Sequence, residues 1–158
     1  IRSPLHEPRG EPPTRSFLSR LTNQVDLHEQ VVPLVRRHLT PRTFYKDKAS
    51  DGAIRRLAHK VKRIDRLVRV AAADIAGRPP RQDAFPEGPW LLKRAEELQV
   101  KDAEPKPIIQ GRHLIDHGLK PGPSFTPILE QCFDAQLDGK FSELKSGLEY
   151  LKKIISCN

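Results

Sequence analysis

Methionine is absent and the chain opens on Ile1, so the reading frame is expected to continue upstream of the first residue. Cysteine occurs only at Cys132 and Cys157, too few for a disulfide framework or a cysteine-based zinc site. Cys132 stands at helical spacing with Phe125, Ile128, Leu129 and Phe133, and is expected to be buried as a small apolar side chain. No window approaches the ~18 apolar residues that span a bilayer. The N-terminus also lacks the basic start, apolar stretch and small-residue cleavage site of a secretory signal. Without those features or a disulfide pattern, a cytoplasmic chain with no membrane partner is expected. Catalytic signatures are equally scarce. There is no Gly-x-x-x-x-Gly-Lys phosphate loop, no Gly-x-Ser-x-Gly elbow, and no paired acidic motif suited to two-metal nucleotidyl transfer. No nucleophile, base and oxyanion site can be assembled, so no catalytic residue, bound metal or small-molecule substrate is expected within this chain.

What the chain does contain is helical periodicity. No window sustains period-two alternation, so the expected fold is all-α, a helical body followed by a small helical tail lobe, with no significant sheet. Residues 1–13, "IRSPLHEPRGEPP", are Pro-rich and expected to be extended. Thr14 can cap a short helix with Phe17, Leu18 and Leu21 on one face. Asp26 followed by Glu29 has the spacing of a capping box, opening a helix with Leu27, Val31, Leu34, Val35 and Leu39 as its apolar stripe. Pro33 should kink that helix and Pro41 end it. "KASDGAIRRLAHKV" restarts a helix at Ser50 or Asp51, with Ile54, Leu57, Ala58 and Val61 inward. Residues 64–76 form another, packing Ile64, Leu67, Val68, Ala71 and Ile75 and stopped by Gly77. "GRPPRQDAFPEGP" reads as a loop, and Pro89 as the first residue of a helix to about Val100. "KDAEPKP" reads as the linker between lobes. Beyond it come a short helix near 111–117, a helix to Leu137 closed by Asp138-Gly139, and a last helix from Ser142 to about Ile155. The expected divisions are 1–40, a basic helical body at 41–103, and a tail at 104–158.

Charge is the most informative feature. The net charge is +8, yet residues 36–81 alone hold 14 Lys and Arg against 4 acids, a local excess of +10. The flanking segments are neutral or slightly acidic. Such segregation is the footprint of a polyanion binder. Within 53–61 and 64–76 the apolar positions define the inside, so Arg55, Arg56, Lys62, Arg63, Arg66 and Arg69 are expected to face outward on one surface. Only Phe44 and Tyr45 accompany the basic run, which favours phosphate and sugar contacts on a folded RNA over stacking of unpaired bases. A membrane surface is disfavoured because the segment lacks an exposed bulky apolar face.

Histidine supplies the weaker candidates. "HLIDH" places His113 and His117 four apart, a metal-capable spacing, but no third ligand is evident, and both are expected to be surface imidazoles near a helix C-terminus. His38 and His59 are expected to add to the basic surface, and Asp74 to pair with or cap Arg78.

These stretches together resemble the C-terminal half of bacterial tRNA nucleotidyltransferases of the CCA-adding enzyme and poly(A) polymerase family. "HEPRG" followed by "RSFLSRL" is similar to the Gly-His-Glu-x-x-Gly of the HD-type helical domain, matched by His6, Glu7 and Gly10, with Leu5 in place of its first glycine. "VVPLVRRHLTPRTFY", "ASDGAIRRLAHKV" and "RVAAADIAGR" resemble the helices that follow. "GRHLIDHGLKPGPSFTPILEQCFDAQLDGKF" resembles the family's tail with its Gly-Leu-x-Pro-Gly-Pro turn. The resemblance runs in order over almost the whole chain. It implies that residues 1–40 are the end of the HD-type region. It also implies that the catalytic head, using Mg and nucleoside triphosphates (ATP, CTP), lies upstream, as does the paired His-Asp of the HD domain. No catalytic residue of the family transfers to these positions. What transfers is the body and tail role of gripping tRNA through its backbone, with the upstream nucleotidyltransferase domain as the other partner. The contacts then expected are Lys46, Arg55, Arg56, Lys62, Arg63, Arg66, Arg69 and Lys120.

In "GLKPGPSFTPILEQCF", Gly118 is expected to end one helix, Pro121 to stiffen the connection, and Gly122 to take an unusual backbone angle. Pro123 or Pro127 would begin the next helix, leaving Lys120 near a positive helix end. Two other classes remain open on the sequence: a degenerate HD-type metal-dependent phosphohydrolase, and a standalone helical adaptor for an acidic protein.

Overall fold

The computed structural model describes residues 9–77 and 84–156. His6, Glu7, Arg78 and Cys157, named above, lie outside the described residues. Among those described, every regular element is a helix, so the fold is all-α. In chain order they are α1 (Glu11–Leu21), α2 (Val25–Arg37), α3 (Thr40–Lys46), α4 (Asp51–Val61), α5 (Ile64–Ala76), α6 (Glu87–Glu97), α7 (Gly111–Asp116), α8 (Phe125–Leu137) and α9 (Leu144–Ser156). None of these helices is long and apolar enough to cross a membrane.

The chain divides into two compact units. The first holds residues 1–50 and 54–104, the second residues 51–53 and 105–158. In the first, α6 packs on α3 and α5, α5 on α2, and α2 on α1. Its core is built from the inward positions of α4 and α5, with Ile54, Leu57, Ala58, Val61, Ile64 and Leu67 all buried, closed by Leu91 and Ala95 of α6. Each large aliphatic side chain taken fully out of water in this way contributes about 1.5–3 kcal/mol. Gly88 lies where α6 approaches α5, and a Cβ there would stand 2.5 Å from the Phe85 ring and 3.1 Å from Val68 Cγ1. A side chain there would have to displace the Phe85 ring.

Prolines proved better starters than stoppers. Pro12 and Pro13 occupy the first turn of α1, which begins at Glu11 rather than at Thr14. Thr14 instead lies inside the helix and returns its hydroxyl to the Gly10 carbonyl at 2.6 Å. Pro41 does not end a helix. It sits buried in the first turn of α3, after α2 has closed at Arg37 with His38 as its C-cap. A proline in the first helical turn loses nothing, because its fixed φ already suits the helix and no N–H is needed there. Pro89 is likewise within the first turn of α6, which begins at Glu87 and ends at Glu97. Pro33 lies inside the single helix α2. Gln24, not Asp26, is the N-cap of α2.

Helix α1 turns apolar side chains outward. Phe17 and Leu21 are 53% and 65% exposed, and Val25 at the start of α2 is 69% exposed. These residues make up an exposed apolar face. Ion pairs help hold α1 to α2: Arg15 contacts Glu11 and Glu29 at 3.2 Å each, and Arg36 reaches Glu11 at the same distance.

In the second unit, α8 packs on α7 and α9. The core joins Ile109, Leu114, Ile128, Cys132, Ala135, Phe141, Leu151 and Ile154, so Cys132 is buried as expected. Burial pushes the Cys132 thiol above its ordinary pKa. The Gln136 side chain clamps the incoming strand of chain, accepting from the Ile108 N–H and donating to the Lys106 carbonyl, both at 2.9 Å.

The junction after α7 is a Schellman turn. Gly118 takes φ +84°, its N–H reaches the Ile115 carbonyl, and the Leu119 N–H reaches the Leu114 carbonyl. Leu119 packs on the same core as Leu114, completing the motif. The left-handed residue is thus Gly118, whereas Gly122 has no positive φ. Ser124 caps α8, so Pro127 falls in its first turn and Pro123 precedes it. Nothing lies within 4 Å of a Cβ built on Gly118. Gly118→Ala should therefore cost only the backbone term, about 1–2 kcal/mol. A thermal midpoint unchanged from wild type would contradict the turn.

Candidate nucleic-acid interface

The basic residues of α4 and α5 are set out by two amphipathic helices joined by a tight corner. Lys62 leaves α4 at φ +60°, with its N–H still bonded to the Ala58 carbonyl at 2.7 Å, and Arg63 is the N-cap of α5. Residues 55 and 59 fall on one stripe of α4, and 66 and 69 on one stripe of α5, by helical spacing. Lys62, Arg66 and Arg69 are exposed, whereas Arg55 and Arg56 are half-buried.

Internal carboxylates temper this surface. Arg63 forks onto Asp65, with Nε to Oδ1 and Nη2 to Oδ2 both at 2.8 Å. Those hydrogen bonds hold the Asp65 carboxyl below the usual range despite its partial burial, helped by the charges of Arg63 and Arg69. Glu104 approaches His59 Nδ1 at 3.4 Å and Lys62 Nζ at 3.9 Å. Arg66 donates to Gln30 Oε1 of α2 at 2.6 Å, a neutral partner that orients the guanidinium without discharging it. The expected RNA contacts thus fall into several kinds. Lys62, Arg66 and Arg69 present charge to solvent, Arg63 is committed to Asp65, and Arg55 and Arg56 have internal interactions. Lys46, at the end of α3, is exposed beside Tyr45 and Trp90. Lys120 is exposed in the second unit, on the turn after Gly118.

Two histidine expectations are overturned by burial. His38 is 7% exposed and belongs to the interior, not to the basic surface. Its Nδ1–H donates to the Val35 carbonyl at 2.6 Å, while Nε2 faces Asp74 at 3.8 Å. His113 is also buried, because its ring folds back over the start of α7. There Nδ1 accepts the Gln110 N–H at 3.0 Å, which makes Nε2 the protonated nitrogen. Arg112 Nε, 3.3 Å from that Nε2, therefore meets another N–H and cannot donate to it. His117 spends its Nδ1–H on the His113 carbonyl at 2.9 Å. The pair is turned toward local backbone instead of a common ligand. Among the described residues no group of three His, Cys, Asp or Glu is placed to hold a metal ion.

Sequence reading missed one constellation. Residues 40–46 and 87–97 pack together as α3 and α6, which sets Tyr45 against Trp90 with ring centroids 5.7 Å apart and planes at 77°. An open cleft of about 550 Å³ lies there, lined by Tyr45, Lys46, Lys48, Ala49, Trp90 and Arg94. Trp90 and Arg94 are four apart on α6, and this shared helical face was the only trace of the cleft in the sequence. No family model, curated protein or solved structure matches this chain.

Proposed function

We infer that this chain is the RNA-gripping, C-terminal region of a tRNA nucleotidyltransferase of the CCA-adding and poly(A) polymerase kind. Its role is to hold the folded backbone of tRNA so that the 3′ end reaches a catalytic head encoded upstream. The observation carrying this reading is the +10 excess confined to residues 36–81. Lys62, Arg66 and Arg69 remain exposed within that excess despite nearby carboxylates. The ordered resemblance of the chain's segments to that family supports it. Mg and nucleoside triphosphates belong, on this reading, to the upstream head. The exposed apolar face of Phe17, Leu21 and Val25 is where that head or its HD-type neighbour would seat.

The test is direct binding of deacylated tRNA to the chain across a salt series. Affinity should fall linearly with log salt, with a slope of about −3 or steeper for four or more phosphate contacts. A salt-independent affinity, or equal binding to an acidic protein of similar charge, would remove the reading.

A further inference from the structure

We propose that the cleft between α3 and α6 takes up one unstacked nucleotide of a single-stranded RNA segment, its base against Tyr45 and Trp90 and its phosphate on Lys46 and Lys48. This deepens the RNA-binding reading but rests on different side chains, sharing only Lys46 with the contacts named for the tRNA backbone.

The chemistry follows from what lines the cleft. Two aromatic rings at 77° form a corner and not a stack, so a third planar ring can lie flat on one of them. Tyr45 is 42% exposed, far from sealed by the core. Around that corner stand three cations, Lys46, Lys48 and Arg94, of which Arg94 is paired with Glu97 on its own helix. A flat apolar platform edged by positive charge suits a planar group joined to an anion. A nucleobase with its phosphate is that group, since every base offers a π-face and stacking tolerates any sequence.

The turn that closes α3 places Lys48 at the cleft. Lys48 takes φ +48° in the turn after α3, where the Ala49 N–H closes onto the Phe44 carbonyl at 2.9 Å. Glycine is the residue favoured at such a position, and a side chain there carries a conformational cost. Lys62 and Gln99 take the same left-handed conformation after α4 and α6, so it belongs to the way these helices end, and here it leaves Lys48 among the residues lining the cleft.

Trp90 is the only tryptophan in the chain, so its fluorescence reports on the cleft. The full chain would be titrated with a five-nucleotide single-stranded RNA, a blunt duplex of matching sequence, AMP, inorganic phosphate and an acidic peptide. Saturable quenching by the single strand, at least about tenfold tighter than by the duplex, is expected. AMP should quench at higher concentration, because it lacks the neighbouring phosphates. Quenching by AMP at equal or lower concentration would assign the site to a free nucleotide and overturn the strand. Equal responses to phosphate alone or to the acidic peptide would overturn the nucleotide altogether. Tyr45→Ala should weaken the single strand at least about fivefold, with Tyr45→Phe restoring it, since one stacked base is lost and regained. Lys48→Gly should weaken it too while leaving thermal stability equal or higher. A Lys48→Gly chain that binds normally removes the phosphate contact from the proposal. Reversal of Lys62, Arg66 and Arg69 should leave Trp90 quenching intact even where tRNA affinity is lost, so the two readings fail separately.

Discussion

Replacing Lys62, Arg66 and Arg69 together by Glu is expected to lower tRNA affinity by about 100-fold or more near 0.1 M salt, and to flatten the salt slope by roughly two to three. Each phosphate contact at that ionic strength releases condensed counterions worth nearly a factor of ten, so losing three is a large effect before any repulsion is added. The substitutions are chosen for exposure. The internal ties they break are the 3.9 Å approach of Lys62 to Glu104, the Arg66 hydrogen bond to Gln30 and the attraction of Arg69 to the Asp65 carboxylate. Exposed contacts of this kind are worth about 0–1 kcal/mol each, so the fold should survive with a thermal midpoint lowered by a few degrees at most. Arg63 is a poorer choice. Its removal would orphan Asp65, whose carboxylate accepts both of its hydrogen bonds. In the same binding assay, Lys120→Glu should cost no more than about tenfold, the effect of a single phosphate contact. Loss beyond tenfold there would move the grip from the α4–α5 corner to the tail. Wild-type affinity in the triple reversal would end the case for RNA at this surface.

The largest stability effect is expected at Ile54. It is fully buried at the centre of the first core, on the helix whose inward face also carries Leu57, Ala58 and Val61. Ile54→Ala should destabilise the first unit by about 2–5 kcal/mol, from lost transfer energy plus the cavity left behind. Trp90 packs against that core, so urea unfolding followed by its fluorescence reads the change. By contrast Phe17→Ala, on the exposed face of α1, should move the same midpoint by about 0.5 kcal/mol or less. A cost below 1 kcal/mol at Ile54 would show that α4 is not the keystone of the unit. A large cost at Phe17 would show that its face is covered in the chain itself.

The two substitutions mark the boundary between what periodicity reveals and what packing adds. Helix α5 was legible to the residue, because Ile64, Leu67, Val68 and Ala71 repeat at helical spacing and the corner before them is polar. The burial of Cys132 was legible for the same reason. Helix α1 shows the limit. Its apolar residues carry the same kind of pattern, yet Phe17 and Leu21 face outward. Amphipathicity says that a face wants cover and does not say whether this part of the chain provides it. Histidines were misread for a related reason. His38 and His113 carry polar rings that one local backbone partner suffices to satisfy, after which burial costs little. Both partners lie only three residues away, but spacing gives their reach and not the burial that packing then imposes on each ring.

By itself, then, the sequence determined the helical class, the inward faces of α4 and α5, and the concentration of positive charge, since all three depend on neighbours within a few residues. Tertiary structure alone decided which cations stay exposed and that His59 and Lys62 meet Glu104. It also decided that Trp90 joins Tyr45 at a basic cleft. The physical reason is distance along the chain: a charge is discharged, a ring stacked or a face covered by residues tens of positions away, and only packing brings them within reach.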